Sequence, residues 1–335
     1  MSKKVIIIAE AGINHNGNIH YAKKLIDVAA KAGADYVKFQ FFKVENQVTK
    51  YAPKAIYQIK NTKNNKKQYE MLKKCEFRME QFKILFNYCK KLKIKFLASC
   101  FDDESAKNYV KVGGRVFKIP SGEINNLRLL EFIGKKNKEI FLSTGLSNIK
   151  EIKNALKILT KNGTSKKKIT LLQCTTNYPC DISEANILVI PALSKKFNTK
   201  VGFSDHTLTH EGAIAAVALG AKVIEKHITL NKNMSGPDHK ASFDPKEFDM
   251  YVKSIRKTEK LLGTNQKKPT KNELKNLKPV RKSIVARSFI NKGDIFTNKN
   301  IIAKRPAGGI SPLQINKIIG KKAKKKFNTD EKISI

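Results

Sequence analysis

Apolar residues fall into short aliphatic runs separated by longer amphipathic stretches, and the alternation holds to about residue 262. The runs predict strands over Val5–Glu10, Tyr36–Gln40, Lys95–Ser99 and Val116–Ile119. Four more follow over Glu139–Ser143, Ile169–Thr175, Val201–Ser204 and Val223–His227. Between them apolar positions recur at helical spacing, for instance over Tyr21–Ala32, Glu80–Lys91, Ile149–Leu159 and Glu211–Leu219. Aliphatic strands alternating with amphipathic helices imply a parallel sheet covered by helices. Eight such units in about 260 residues match the size of a (β/α)8 TIM barrel. A doubly wound open sheet would carry a glycine-rich phosphate turn after its first strand, and AEAGINHNG at residues 9–17 is not one.

The pattern also places the remaining segments. Residues 41–80 are rich in Lys, Asn and Gln and exceed an ordinary strand-to-helix loop, so they are expected at the barrel rim or as a lid. The barrel is read as residues 1–264 and a polar, Lys-rich linker as 265–280. Residues 281–335 show short strand patterns, an Asn-Lys-Gly-Asp turn and a Pro-Ala-Gly-Gly loop, which suggests a small β-rich domain. Its core is too small to be stable alone, so support from the barrel or a second subunit is expected.

Chemistry in such a barrel sits where the strands end at their C-terminal side, and every predicted strand ends in polar residues. The first ends in Glu10, the second carries Lys38 and Gln40, and the third ends at Ser99. The fourth brings Lys118, Ser121 and Glu123, and the fifth Ser143 and Thr144. The sixth ends in QCTTNYP, the seventh in Ser204-Asp205-His206, and the eighth in Glu225-Lys226-His227. A core built only for packing has no use for this ring, which points to an enzyme.

Composition changes this picture little. The formal charge is +39, but seven of the 67 basic residues are Arg and the Lys are spread along the chain. Base readout favours Arg forks and stacking aromatics, so the excess is read as a solvated surface that steers small anions, with no nucleic-acid partner. No apolar run approaches the ~20 residues that span a bilayer, and the N-terminus lacks a signal-peptide pattern. The five scattered Cys lack zinc-finger or CxxC spacing and fit reduced thiols. A cytoplasmic protein without membrane contact is expected.

His206 and His227 stand one strand apart in the pattern, at the ends of neighbours whose backbones lie ~5 Å apart. Two imidazoles there can share a divalent metal, with water, carboxylate or substrate oxygens completing an open shell suited to Mn²⁺ or Mg²⁺. The alternative is two hydrogen-bonded loop histidines. His15 is a further candidate ligand, although a His in such a turn is more often structural. Lys38 and Lys118 interrupt aliphatic strands, where an unpaired ammonium is costly. One such lysine suggests a Schiff base. Two, ringed by serines, suggest a cage for a phosphate and a carboxylate. The plainer alternative pairs them with Glu10 and Glu123.

Nine stretches in order along nearly the whole chain resemble the sialic acid synthases: IAEAGINHNG, VKFQ, FKIPSGE, LSTG, CTTNYP, GFSDHT, VIEKHITL, GPDHKAS and KRPAGGISP. The resemblance implies condensation of phosphoenolpyruvate with a 2-acetamido-sugar aldehyde, releasing phosphate and forming a nine-carbon 2-keto acid. It implies a (β/α)8 barrel, a C-terminal antifreeze-like (SAF) domain, and a homodimer in which that domain reaches the partner's active site. By motif, His206 and His227 would bind the metal and Glu10 would lie near it and its water. Lys38, Ser99, Lys118, Ser121, Ser143, Ser204, Thr176 and Tyr178 would surround phosphoenolpyruvate. Gln40, Glu123 and Asp238 would bind the sugar, and Arg305 its N-acyl group from the neighbouring subunit.

Cys100, Asn177, Ile228 and Ala307 depart from residues common in that family. Asn177 and Ala307 bear on the choice of sugar. The expected reaction is N-acetylneuraminate synthesis from N-acetylmannosamine. The alternative is N,N'-diacetyllegionaminate synthesis from 2,4-diacetamido-2,4,6-trideoxymannose, with a Schiff-base aldolase and a basic nucleic-acid binder as more distant readings.

Overall fold

The computed structural model describes residues 4–62 and 67–335. The chain divides into two compact units, Met1–Gly263 and Thr264–Ile335. In the first, eight parallel strands close into a barrel: β1 (Ile6–Gly12), β2 (Tyr36–Phe41), β3 (Lys95–Cys100) and β4 (Val116–Ile119), then β5 (Glu139–Ser143), β6 (Ile169–Cys174), β7 (Lys200–Asp205) and β8 (Val223–His227). Strands follow sequence order around the ring, and β8 pairs back onto β1 with Ile8 opposite Glu225 and Glu10 opposite His227.

Local signals set the helices between them. Helix α1 (Ile19–Ala32) begins at Asn18, whose side chain accepts from the N–H groups of His20 and Tyr21, and ends at Gly33 with φ 82°. Only glycine adopts that left-handed turn without steric cost. The segment after β2 is structured: α2 (Val44–Gln47), α3 (Ile56–Thr62) and α4 (Gln68–Lys73) precede α5 (Met79–Lys91). The Lys63–Lys66 part of that expected rim lies outside the described residues. The last barrel helix, Pro245–Leu262, opens with a reciprocal Asp244–Glu247 cap and Pro at its first turn.

Strand alternation sorts the barrel wall into an outer and an inner face. Outward residues such as Ile7, Val37, Phe117 and Leu171 pack under the helices. Inward, Ile8, Tyr36, Leu97, Phe141, Leu172 and Val223 form an apolar plug. At the same level β7 carries Gly202, where an added Cβ would stand 2.4 Å from the Val223 carbonyl oxygen and 2.6 Å from Leu172 Cδ2.

The second unit contains the antiparallel pair β9 (Ser283–Ala286) and β10 (Ile301–Lys304). Its own core gathers Ile284, Ile290, Phe296, Ile301, Ile318 and Phe327. Residues 265–280, read from sequence as a linker, include two short helices, Lys271–Lys275 and Leu277–Val280, and cluster with this unit.

Candidate active site

Two residues beyond the apolar plug, every strand turns polar on its inner face. Strands β1 to β4 contribute Glu10, Lys38, Ser99 and Lys118, and β5 to β8 contribute Ser143, Cys174, Ser204 and Glu225, all lining one cavity of about 300 Å³. The period-two geometry of a strand produces this layer: one step from the plug faces the helices, two steps face the axis again.

Four charges meet in that layer. Lys118 Nζ lies 2.8 Å from Glu225 Oε1, and Lys38 Nζ lies 3.2 Å from Glu225 Oε2 and 3.4 Å from Glu10 Oε1. Lys38 also donates to Ser99 Oγ at 3.1 Å, and Ser204 Oγ donates to Glu225 at 2.9 Å. The sequence alternative pairing the lysines with Glu10 and Glu123 is therefore half corrected. Glu123 turns away and accepts from Asn126 Nδ2 at 2.7 Å, and the shared carboxylate is Glu225, across the barrel from Lys118.

Sharing is unequal, and the acidities follow. Burial pushes the Glu225 carboxyl up, but the Lys118 and Lys38 ammoniums overcome it and hold the group below the usual carboxylate range. Glu10 has the weaker partner, so burial dominates and its carboxyl is pushed up to about 7. Burial and its like-charged neighbour Lys38 leave Lys118 below the ordinary lysine value. Near neutral pH a proton on Glu10 leaves two cations facing one anion, an arrangement suited to an anionic substrate.

The histidines stand above this layer with ring centroids 5.4 Å apart. His206 Nδ1 lies 2.7 Å from the Thr175 carbonyl oxygen. A carbonyl only accepts, so Nδ1 carries the proton and Nε2 keeps its lone pair. Burial and the neighbouring His206 hold His227 well below the ordinary histidine value, so it is a neutral ligand type. The Tyr178 ring lies 4.1 Å from His206 and 5.5 Å from His227, and Tyr57 lies 4.9 Å from Tyr178. Cys174 Sγ is 3.9 Å from His206 Nδ1. Burial pushes this thiol up, but His206 draws it below its ordinary value.

Of the fifteen residues proposed from sequence, the cavity gathers all but Glu123 and Arg305. Gln40, Ser121, Thr176, Tyr178, Asp238 and both histidines join the strand-borne layer there. Arg305 is exposed in the second unit, just past β10. His15 is structural: its ring stacks on Phe77 at 4.0 Å and Nδ1 accepts the Gly17 N–H. Beside it, Asn14 Nδ2 donates to the Ile228 carbonyl and to Ser242, tying the turn to the chain after β8. Gln47, Tyr57, Gln58 and Gln68 from the post-β2 insertion also line the cavity. Sequence reasoning passed over them, because glutamines in a Lys/Asn-rich stretch read as solvated.

Among the described residues, eight buried side-chain polar atoms have no hydrogen-bond partner, and six belong to cavity residues. They are Glu10 Oε2, Gln47 Oε1, Ser143 Oγ, Thr176 Oγ1, His227 Nδ1 and Asp238 Oδ1. Each costs about 1–3 kcal/mol unless something supplies a partner, so their concentration marks a polar ligand site. No group of three or more His, Cys, Asp or Glu among the described residues forms a metal cluster. The donor set still fits a divalent ion held by His206 and His227, since His227 Nδ1 is unpartnered and His206 keeps a lone pair.

Comparison with known proteins bears on this geometry. Residues 25–267 match the NeuB family and residues 281–334 match the SAF domain. The chain is 50% identical over 331 residues to the N,N'-diacetyllegionaminic acid synthase of Campylobacter jejuni, covering 99% of each chain. It is 40% identical to the enzyme of the same name from Legionella pneumophila, covering 95% of this chain and 90% of that one. The solved N-acetylneuraminic acid synthetase of Leptospira borgpetersenii superposes with a TM-score of 0.73 at 32% identity, covering 82% of this chain and 90% of that one. A charged layer, an imidazole pair and a C-terminal SAF domain thus stand on a sequence alike over its whole length, and the chain belongs to the NeuB family of phosphoenolpyruvate-utilising sialic acid synthases.

Proposed function

We propose that this enzyme condenses phosphoenolpyruvate with 2,4-diacetamido-2,4,6-trideoxymannose and water, giving N,N'-diacetyllegionaminate and phosphate. The carrying observation is the 50% identity over 99% of both chains to the Campylobacter jejuni N,N'-diacetyllegionaminic acid synthase. It reverses the order of the two sequence readings, in which N-acetylmannosamine stood first.

Lys118 and Lys38 receive the phosphate and carboxylate of phosphoenolpyruvate, helped by Ser99, Ser121, Ser143 and Ser204 from the same cavity. Held anions and a fixed open-chain sugar bring the enol C3 against the aldehyde carbon. The new C3–C1 bond leaves positive charge at C2. Water adds there, and the resulting tetrahedral centre expels phosphate by C–O cleavage. Burial pushes the Glu10 carboxyl up to about 7, so both forms exist near neutral pH, and its ionised form takes the proton of that water. A divalent ion (Mn²⁺ or Mg²⁺) held by His206 and His227 would polarise the aldehyde oxygen. Of the three residues expected to bind the sugar, Gln40 and Asp238 line the cavity and hold it.

Assembly as a homodimer belongs to this proposal. Arg305, on an exposed loop of the second unit, would reach the sugar's acyl group in the partner's site. Leu146, Ile182 and Leu188, exposed in the loops after β5 and β6, give that rim apolar surface. A cytoplasmic setting agrees with the five free cysteines.

The test is phosphate release from phosphoenolpyruvate with each of the two sugars, with and without EDTA. Faster turnover of the diacetamido sugar, abolished by EDTA and restored by Mn²⁺, is expected. Preference for N-acetylmannosamine would return the reading to N-acetylneuraminate, and indifference to EDTA would remove the metal.

A further inference from the structure

The cavity has two chemically unlike walls. Its floor is the four-charge layer, whereas the segment after β2 supplies neutral groups: Gln47, Tyr57 and Gln58, next to the apolar side chains Ile13, Leu72 and Phe101. This wall is anchored. Ile13 and Leu72 belong to a buried cluster with Phe42, Val44 and Met71, and Phe101 packs against it. Val44 opens the one-turn helix that ends in Gln47, so the cluster fixes the backbone of Gln47.

The polar groups of the wall differ in one respect. Gln58 is occupied: its Oε1 accepts the Ala55 N–H at 3.0 Å and its Nε2 donates to the Tyr57 hydroxyl at 3.3 Å. Gln47 Oε1 is sealed from solvent and has no protein partner. An acceptor in that state calls for an N–H or O–H donor. The position of the wall says where the donor comes from. Tyr57 lies on Tyr178, which lies on both imidazoles, so the neutral wall begins where the histidine pair ends. A sugar with its aldehyde at the histidines extends its later carbons toward this wall.

We propose that Gln47 and the apolar side chains beside it determine sugar specificity. Gln47 Oε1 accepts the N–H of the second acetamido group, while Ile13, Leu72 and Phe101 receive the acetamido and C6 methyl groups. The inference rests on the function proposed above and adds the residues that choose the substrate. N-acetylmannosamine offers a rotatable C4 hydroxyl that can also pair elsewhere, and its C6 hydroxyl would face this apolar surface without a partner, which is costly. An acetamido N–H fixed in the amide plane depends on Gln47 more than a freely rotating hydroxyl does.

The experiment compares the full-length enzyme with Gln47→Leu and Gln47→Asn, following phosphate release with the diacetamido sugar and with N-acetylmannosamine. Gln47→Leu should lower kcat/KM for the diacetamido sugar about ten- to a hundredfold more than for N-acetylmannosamine. The loss should appear in KM for the sugar and not in KM for phosphoenolpyruvate, and Gln47→Asn should recover part of it. An equal loss on both sugars, or no loss, overturns the role of Gln47. If the unsubstituted enzyme itself rejects the diacetamido sugar, the proposed function falls together with this inference. If that enzyme accepts it and the ratio does not move, only the inference falls.

Discussion

Strands β7 and β8 bury charge on both faces, and the two faces treat it differently. On the outer face Asp205 and Lys226 are fully buried 3.2 Å apart, beneath the last barrel helix. Thr207 and the Tyr251 hydroxyl donate to Asp205, at 2.8–2.9 Å. Lys226 donates to the Thr207 carbonyl and lies 4.1 Å from the Phe243 ring centroid. On the inner face Ser204 and Glu225 join the lysines beside Glu10, which keeps an oxygen without a partner. A buried charge that its neighbours satisfy holds the scaffold in place. One left partly unsatisfied against a cavity awaits a ligand.

Substitutions on the two faces should separate these roles. Lys118→Met should lower kcat/KM for phosphoenolpyruvate by about 10³-fold, the scale of losing a preorganised charge partner. Its urea midpoint should move less than that of Lys226→Met. The latter strands Asp205 in the wall and should cost about 3–5 kcal/mol, with much of this recovered in the double variant Asp205→Asn/Lys226→Met. Urea unfolding beside steady-state kinetics reads both. If Lys118→Met proves as destabilising as Lys226→Met, the distinction between the faces collapses.

Much of this architecture was legible in the sequence, for identifiable reasons. The barrel strands are short apolar runs of aliphatic and aromatic residues, so strand positions followed from composition and period, and Glu10, Lys38 and Lys118 stood out as charges inside or ending those runs. Pairing was not legible. Lys118 on β4 meets Glu225 on β8, and no spacing along the chain encodes a contact across the barrel axis. Glu225 was visible in EKH, but the histidine beside it drew the attention. Cys174 read only as one of five reduced thiols, because nothing in QCTTNYP says which way it faces. The glutamines after β2 were hidden by the lysines and asparagines around them.

Smaller effects refine the comparison below and beside the charged layer. Gly202→Ala pushes a methyl against the Val223 carbonyl and Leu172 in the apolar plug. It should cost about 1–3 kcal/mol by overpacking, and urea titration would detect this. His15 is a buried polar group that is satisfied, like the outer pair. Burial holds its imidazole down to about 3, against 6.5 ordinarily. The unfolded chain therefore binds a proton below pH 6.5 that the folded chain refuses. Stability is full above that pH and falls as pH drops toward 3, by up to about 1.4 kcal/mol per unit. His15→Phe, which keeps the stacked ring, should flatten that part of the stability–pH curve relative to the parent. An unchanged slope would show that His15 is not a source of acid sensitivity.

The closure of β8 onto β1 sets an order of events for a chain leaving the ribosome. Glu10, Lys38 and Lys118 are made early, but Glu225 and His227 arrive on the final stave, opposite Ile8 and Glu10. Until that long-range pairing forms, the lysines lack their shared carboxylate and keep their water. The nascent chain thus has no half-built charged layer, and the layer comes into being in the same step that makes the barrel a closed ring.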